Sequence, residues 1–296
     1  MRANVPADGD APSRPLHEED RHTSFLMYRR FFYLKVATAA VVVAIILYLV
    51  DVPLGEPYGG TWAGYVLGTV GALLILWLLW FGYRKRSYRS NQGKLEAWLS
   101  AHVYLGIALL FIATLHTGFH FGWNIHTAAY VLMVLVIFSG FFGIYCYVHY
   151  PRLITDNRGG ITMPQILGRI AVVNDELRAV AMTVDDATAR LVTAATERTE
   201  IGGSKLQQIS GRYPNCATTR ALHGLDEVAA HVTPERQAAY RQVRVLLDEK
   251  AQLLARARHD ISYKGMMDVW LYFHVPLSFA LLATLFAHVL SVFFYW

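Results

Sequence analysis

HVYLGIALLFIATLH, from His102 to His116, and HVPLSFALLATLFAH, from His274 to His288, decide how this chain folds. Each stretch begins and ends on histidine, fourteen residues apart, and neither contains Asp, Glu, Lys or Arg. Fourteen helical steps of about 100° fall within about 40° of four whole turns, so both histidines of a stretch share one helix face, roughly 21 Å apart along the axis. Two such helices lying parallel bring His102 level with His274 and His116 level with His288. An isolated intramembrane histidine is ordinarily a hydrogen-bonded packing residue, but four at matched spacing in uncharged helices are costly without partners. Imidazole is a good axial ligand of haem iron. The spacing therefore predicts two bis-histidine haem sites: His102 with His274 near the inner membrane surface, and His116 with His288 near the outer one.

Composition places these stretches in a membrane protein. The chain is 54% hydrophobic and 17% charged, with the charges clustered between long apolar runs. Five runs are long enough to span: about Phe31 to Val52, Tyr58 to Tyr83, Ala97 to Phe119, Ile125 to His149, and Val269 to Trp296. Lys35 interrupts the first and can snorkel toward Arg29 and Arg30. The expected fold is an all-α integral membrane protein, a five-helix transmembrane bundle with a helical cytoplasmic insertion between the fourth and fifth spans. Its parts are a polar N-terminal tail over 1–30, four spans over 31–150, the insertion over 151–267 and the fifth span over 268–296. The tail carries Asp8, Asp10, Glu18, Glu19 and Asp20, lacks the basic-then-apolar layout of a cleaved signal peptide, and reads as disordered before about Ser24.

The distribution of Lys and Arg sets the orientation. Arg29 and Arg30 precede the first span and Arg84, Lys85, Arg86, Arg89 and Lys94 fill the second connection, whereas the first connection carries only Asp51 and Glu56. The third, a tight turn around Gly118 to Asn124, carries no charge. The N-terminus is expected inside and the C-terminus outside, in a bacterial cytoplasmic membrane. With five spans the third and fifth run in the same direction, as the histidine pairing independently requires.

Within the insertion, Pro164 through Ala181 reads as a helix with Ile166, Ile170, Val173, Leu177 and Val180 on its apolar side. Gly202, Gly203, Gly211 and Pro214 mark a loop region. Thr233-Pro234-Glu235 reads as the start of an amphipathic helix leading toward the fifth span, with Val243, Leu247, Leu254, Ala257 and Ile261 recurring at helical spacing. These apolar faces are expected to pack on one another or on a partner subunit.

Several classes find no support. Covalent haem attachment would need Cys-x-x-Cys-His, and Cys146 and Cys216 are isolated, which supports neither a disulfide framework nor an iron–sulfur site. Gly202-Gly203-Ser204 is not a nucleotide-binding turn, so no flavin or nicotinamide site is read. The net charge of +5 follows from the inner loops and implies no nucleic-acid partner.

Two helices, each with His, thirteen intervening residues and His, resemble the haem core of cytochrome b from the cytochrome bc complexes and the ferric reductase-like transmembrane domain. The resemblance covers the membrane part and rests on His102, His116, His274 and His288. It implies two non-covalent haem b groups clamped between two histidine-bearing helices, and placement on the third and fifth spans resembles the ferric reductase-like arrangement more closely. Ferric reductases and NADPH oxidases usually add a flavin and nicotinamide module that has no counterpart in this sequence, and the long insertion matches neither family.

Further residues cluster around the candidate ligands. His120 lies eighteen residues beyond His102, five helical turns, so it is a further candidate for the outer site; equal spacing of the rungs favours His116 as ligand. His120 then reads as a residue beside the ligand, as part of an outer quinone site, or as an interfacial side chain. Trp123 reads as part of an aromatic belt. Gly106, Ala280, Ala283 and Ala287 are small residues near the ligands that would leave room for flat macrocycles. Arg84, Lys85, Arg86, Lys94 and Lys264 are candidates for neutralising haem propionates, besides their role in topology. His120 and His126 outside, or His149 and Asp268 inside, are candidate proton acceptors at a quinone site. The function read from the sequence is a dihaem b-type cytochrome, the electron-transfer subunit of a quinol-linked oxidoreductase complex. It would work among membrane lipids, between the quinone pool and a redox partner, a c-type cytochrome or an iron–sulfur protein. The alternatives are a ferric or oxygen reductase-like electron-transfer protein and a non-redox membrane scaffold.

Overall fold

The computed structural model describes residues 25–51, 58–86, 94–229 and 234–294. The acidic tail, Glu56, Arg89, Thr233 and Trp296 lie outside the described residues, as do the side chains of Arg84, Lys85, Arg86 and Glu235. Among the described residues the regular structure is all helical: α1 Tyr28–Val50, α2 Trp62–Arg86, α3 Leu95–Thr117, α4 Ile125–Arg158, α5 Met163–Ala181, α6 Asp186–Glu197, α7 Lys205–Ser210, α8 Ala217–Ala229, a 3-10 turn Pro234–Arg236, and α9 Gln237–Phe294. Five of them, α1 to α4 and α9, are long and apolar enough to cross a membrane. The all-α membrane architecture expected from the sequence is therefore present.

Two helices are much longer than a span. At about 1.5 Å per residue, the 58 residues of α9 extend roughly 87 Å against a hydrocarbon core of about 30 Å, so only part of it can lie in a bilayer. The amphipathic helix and the fifth span, read separately from the sequence, are thus one element. Gly265 and Pro276 are the only breakers between Gln237 and Phe294, and both are accommodated within the helix. Likewise α4 runs 34 residues, past the expected end of the fourth span and through Pro151.

By compactness the chain divides into two units, one up to Phe141 and from His274 on, the other Phe142–Phe273. The division falls inside α4 and α9 instead of at the hydropathy boundaries near 150 and 268. In the first unit, Ala44 of α1, Leu67 of α2 and Ile112 of α3 form one buried cluster. Ile75 of α2, Leu109 of α3, Met133 of α4 and Leu281 of α9 form another. Polar side chains add to this packing: the Thr114 and Tyr130 hydroxyls of α3 and α4 lie 2.9 Å apart, and the Tyr104 hydroxyl of α3 donates to the Leu26 carbonyl in the turn before α1 at 2.9 Å.

The second unit has its own core, built from Ile166, Ile170, Val173, Leu177 and Val180 of α5 with Val192 of α6, Leu225 of α8 and Val243, Leu247, Leu254 and Ala257 of α9. The stripe expected on α5 is therefore buried, whereas Ile261 of α9 is only partly so. Three further helices, α6 to α8, lie between α5 and α9; the region read as loop around Gly202 to Pro214 holds α7, and local chemistry starts two of the three. Asp185 accepts the Thr188 N–H and caps α6, Ser204 and Gln207 form a capping box on α7, and Gly211 ends α7 in the left-handed region. Backbone and hydroxyl hydrogen bonds from Thr188 hold the Asp185 carboxyl below its ordinary range.

Two buried charges sit in this core. Asp260 is fully buried and accepts a two-pronged hydrogen bond from Arg158, with Lys264 at 3.2 Å. Lys264 is thus engaged with a carboxylate of its own helix. Lys250, 1% exposed, donates to the Asn174 side chain at 2.5 Å and the Ala195 carbonyl at 2.6 Å. Burial, with Arg178 as a nearby like charge, pushes its ammonium down to about 8, although Cys216 opposes the shift.

The folded unit therefore binds fewer protons than the unfolded chain between about pH 8 and the unfolded lysine value of about 10.4, and stability rises with pH across that window. Urea unfolding in detergent, followed by far-UV circular dichroism, should show the wild type gaining stability relative to Lys250→Met as pH rises from 8 to 10. A gap between the two proteins that does not change with pH would refute this account of Lys250.

Candidate functional site

The two histidine stretches meet in the first unit in parallel register. The His116 and His288 rings are 6.1 Å apart between centres, and His102 and His274 each stand fourteen residues before them on the same two helices. Halfway between the histidines of each helix stands a leucine, Leu109 on α3 and Leu281 on α9. Both are buried, at 2% and 4% exposure, in one cluster. Three rungs of about 10.5 Å spacing result, histidine, leucine, histidine.

The ring nitrogens are held differently at each rung. His116 Nδ1 is 2.7 Å from the Gly64 carbonyl, which can only accept, so Nδ1 carries the proton and Nε2 keeps its lone pair. Ser139 donates its own hydroxyl to the Val136 carbonyl at 2.7 Å, which leaves its oxygen to accept from His274 Nδ1 at 2.7 Å. His274 is therefore fixed in the same tautomer. His288 Nδ1 meets Nδ1 of His126. His102 packs beside Phe81, with ring centres 5.0 Å apart, and its buried Nδ1 has no hydrogen-bond partner. Ser100, two residues earlier, likewise has a buried hydroxyl without a partner.

A cavity of about 860 Å³ opens at the rung of His116 and His288. Its walls carry His116, His120, His126 and His288, and Leu109, Met133 and Leu281 lie at its apolar side. Helix α2, which sequence reasoning left out of the site, supplies a wall of glycines. A Cβ at Gly68 would lie 2.6 Å from His116 Cε1, and one at Gly59, in the turn before α2, would lie 3.2 Å from the same atom. The backbone of α2 thus approaches the imidazole as closely as only glycine allows. Glycines spaced along Gly60, Gly64, Gly68 and Gly71 were the available signal in the sequence. At the rung of His102 and His274, a Cβ on Gly106 would meet nothing within 4 Å, so space is open one turn from His102.

Other candidates fall in different places. His120 lines the cavity, but not by helical periodicity: α3 ends at Thr117, and Gly118 and Phe119 take left-handed φ of 57° and 64°. Counting five turns from His102 assumes a helix that has already stopped. Ala280, Ala283 and Ala287 are exposed; Ala280 and Ala287 sit about 100° around α9 from the histidine stripe. Of the proposed small residues, only Gly106 faces free space beside a ligand candidate. Trp123 is fully exposed on the turn between α3 and α4. His149, in the second unit, stacks on Tyr145 with ring centres 4.3 Å apart, and Asp268 is exposed.

Among the described residues no group of three or more His, Cys, Asp or Glu is placed to hold a bare metal ion. The donors come in pairs. Comparison with family profiles, curated proteins and solved structures finds no match to this chain.

The parallel register is testable by cross-linking. With Leu109→Cys and Leu281→Cys, mild oxidation in membranes should join α3 to α9. Leu109→Cys with Val292→Cys, displaced by about 16 Å along the axis, should not cross-link. Equal cross-linking of both pairs would overturn the register.

Proposed function

We propose that this chain is a dihaem b-type cytochrome that carries electrons across a membrane, with His102 and His274 holding the inner haem and His116 and His288 the outer one. The observation that carries the reading is the pairing of four equally spaced histidines in two level rungs, with a large cavity at one of them. The donor chemistry fits the group. Two imidazoles 6.1 Å apart leave room for one metal atom at about 2.0–2.1 Å per metal–nitrogen bond. The cavity is also within the size range of cofactor pockets. Bound haem supplies reversible one-electron chemistry at iron, tuned by its axial ligands and the polarity of its surroundings.

The chain's own residues do the rest. The Gly64 carbonyl and the Ser139 oxygen fix the tautomers of His116 and His274 so that the lone pair a ligand needs lies on Nε2. Gly59 and Gly68 admit the His116 ring against α2. Leu109 and Leu281 hold the two rungs apart and keep the space between them dry. His120, on the wall of the outer cavity, is suited to take a proton from a quinol near the membrane surface. Electrons then pass between the quinone pool and a redox partner, a c-type cytochrome or an iron–sulfur protein. The distribution of Lys and Arg orients the chain in a bacterial cytoplasmic membrane with the N-terminus inside and the C-terminus outside.

Purified protein should contain two non-covalent haems per chain with low-spin bis-histidine spectra. Gly68→Val should displace His116 and lower haem content toward one, leaving the inner haem in place. A protein without haem would end the cytochrome reading, and one haem lost equally from both sites would end the assignment of rungs. Reporter fusions at Ser204 and at the C-terminus should place the first inside and the second outside; the reverse would invert the rungs without affecting ligation. Quinol analogues, but not NADH or NADPH alone, should reduce at least one haem in membranes. Reduction by nicotinamide alone would replace the quinone assignment.

A further inference from the structure

Resting on the dihaem reading of the outer pair, we propose that His126 is the positioning residue of that site: it holds the His288 imidazole through Nδ1, in a plane crossed with that of His116. The His126 and His288 rings are 4.5 Å apart between centres at 88°, and the His116 and His288 rings are crossed at 89°. The torsion that turns a histidine ring is broad and two-fold, so helix geometry alone leaves the plane of an axial ligand open. A hydrogen bond at Nδ1 closes that freedom. Each outer ligand has one, from different elements: His116 from the Gly64 carbonyl of α2, and His288 from His126 on the first turn of α4.

The placement of His126 is itself built. Gly118 ends α3 in the left-handed region, and the connection then closes on α4 through three hydrogen bonds: Gly122 N–H to the Thr127 hydroxyl at 3.1 Å, Thr127 N–H to the Asn124 side chain at 3.0 Å, and Ala128 N–H to the Asn124 carbonyl at 3.1 Å. Asn124 thus caps the turn that carries His126. For His288 to offer Nε2 to iron, its Nδ1–H donates and His126 Nδ1 accepts. The inner rung has no counterpart. Its His274 is tied to a serine hydroxyl and its His102 Nδ1 is without a partner.

Crossed imidazole planes interact nearly equally with the two iron orbitals that lie perpendicular to the haem, leaving them close in energy. The ferric outer haem should therefore give a strongly anisotropic low-field resonance in electron paramagnetic resonance, instead of a rhombic three-line spectrum. The test uses purified full-length holoprotein, with haem counted by pyridine haemochrome and unfolding monitored in parallel. His126→Phe keeps a ring but removes the acceptor, and His126→Gln restores an acceptor amide. The expected result is loss of the low-field resonance in H126F at two haems per chain and an unchanged unfolding midpoint, with recovery in H126Q. Loss of the outer haem in H126F with its return in H126Q supports the same role. An unchanged spectrum in H126F overturns the inference alone, and equal loss in both variants reduces His126 to packing. A wild-type protein without two bis-histidine haems overturns the dihaem reading and this inference with it.

Discussion

The level placement of α3 and the C-terminal part of α9 depends on one buried contact layer, Leu109 and Leu281 with Ile75 and Met133. Each leucine stands seven residues from the histidines on either side, two turns in each direction. When the two leucines share a layer, the histidines above and below are brought level as a matter of helix geometry. Sliding one helix by a single turn would take its leucine out of that layer and break both histidine pairs together. The apolar contact thus sets the register, and the polar groups follow it.

Level placement alone leaves each imidazole free to rotate, and the surrounding helices remove that freedom unequally. Gly64 on α2, Ser139 on α4 and His126 at the start of α4 each meet one ligand candidate at Nδ1. His102 has a buried Nδ1 without a partner, and Ser100 nearby is in the same condition. Buried polar groups without partners are uncommon in folded proteins and concentrate where something else is bound or moves. The His102–His274 and His116–His288 rungs are therefore chemically different, although their sequence spacing is identical.

The second unit solves a different problem. Residues 142–273 must build a core from short helices, and they do so by packing α5, α6 and α8 on the polar half of α9, with Lys250 and Asp260 buried as hydrogen-bonded charges. Each such charge costs desolvation, which is offset by the partners it meets: two acceptors for Lys250, a two-pronged guanidinium and an ammonium for Asp260. Both α4 and α9 contribute to both units.

The sequence by itself determined the elements that periodicity governs: five apolar runs, the stripe of α5, and the face shared by His102, His116 and, on the other helix, His274 and His288. Those follow from 1.5 Å and about 100° per residue and need no neighbour. It did not reveal that α9 is continuous, because the change from an amphipathic to an apolar pattern near Val269 marks a change of surroundings and not an end of the helix. It placed His120 on a helix that Gly118 had already ended, since a left-handed residue ends periodicity without changing hydropathy. Three further features were decided only by tertiary structure: the glycine wall of α2, the Ser139 and Gly64 acceptors, and the contact between His126 and His288. Each joins residues between 48 and 162 positions apart in the chain. Hydrogen-bond partners at such separations leave no local pattern, because what brings them together is the packing of whole helices and not the order of residues along any one of them.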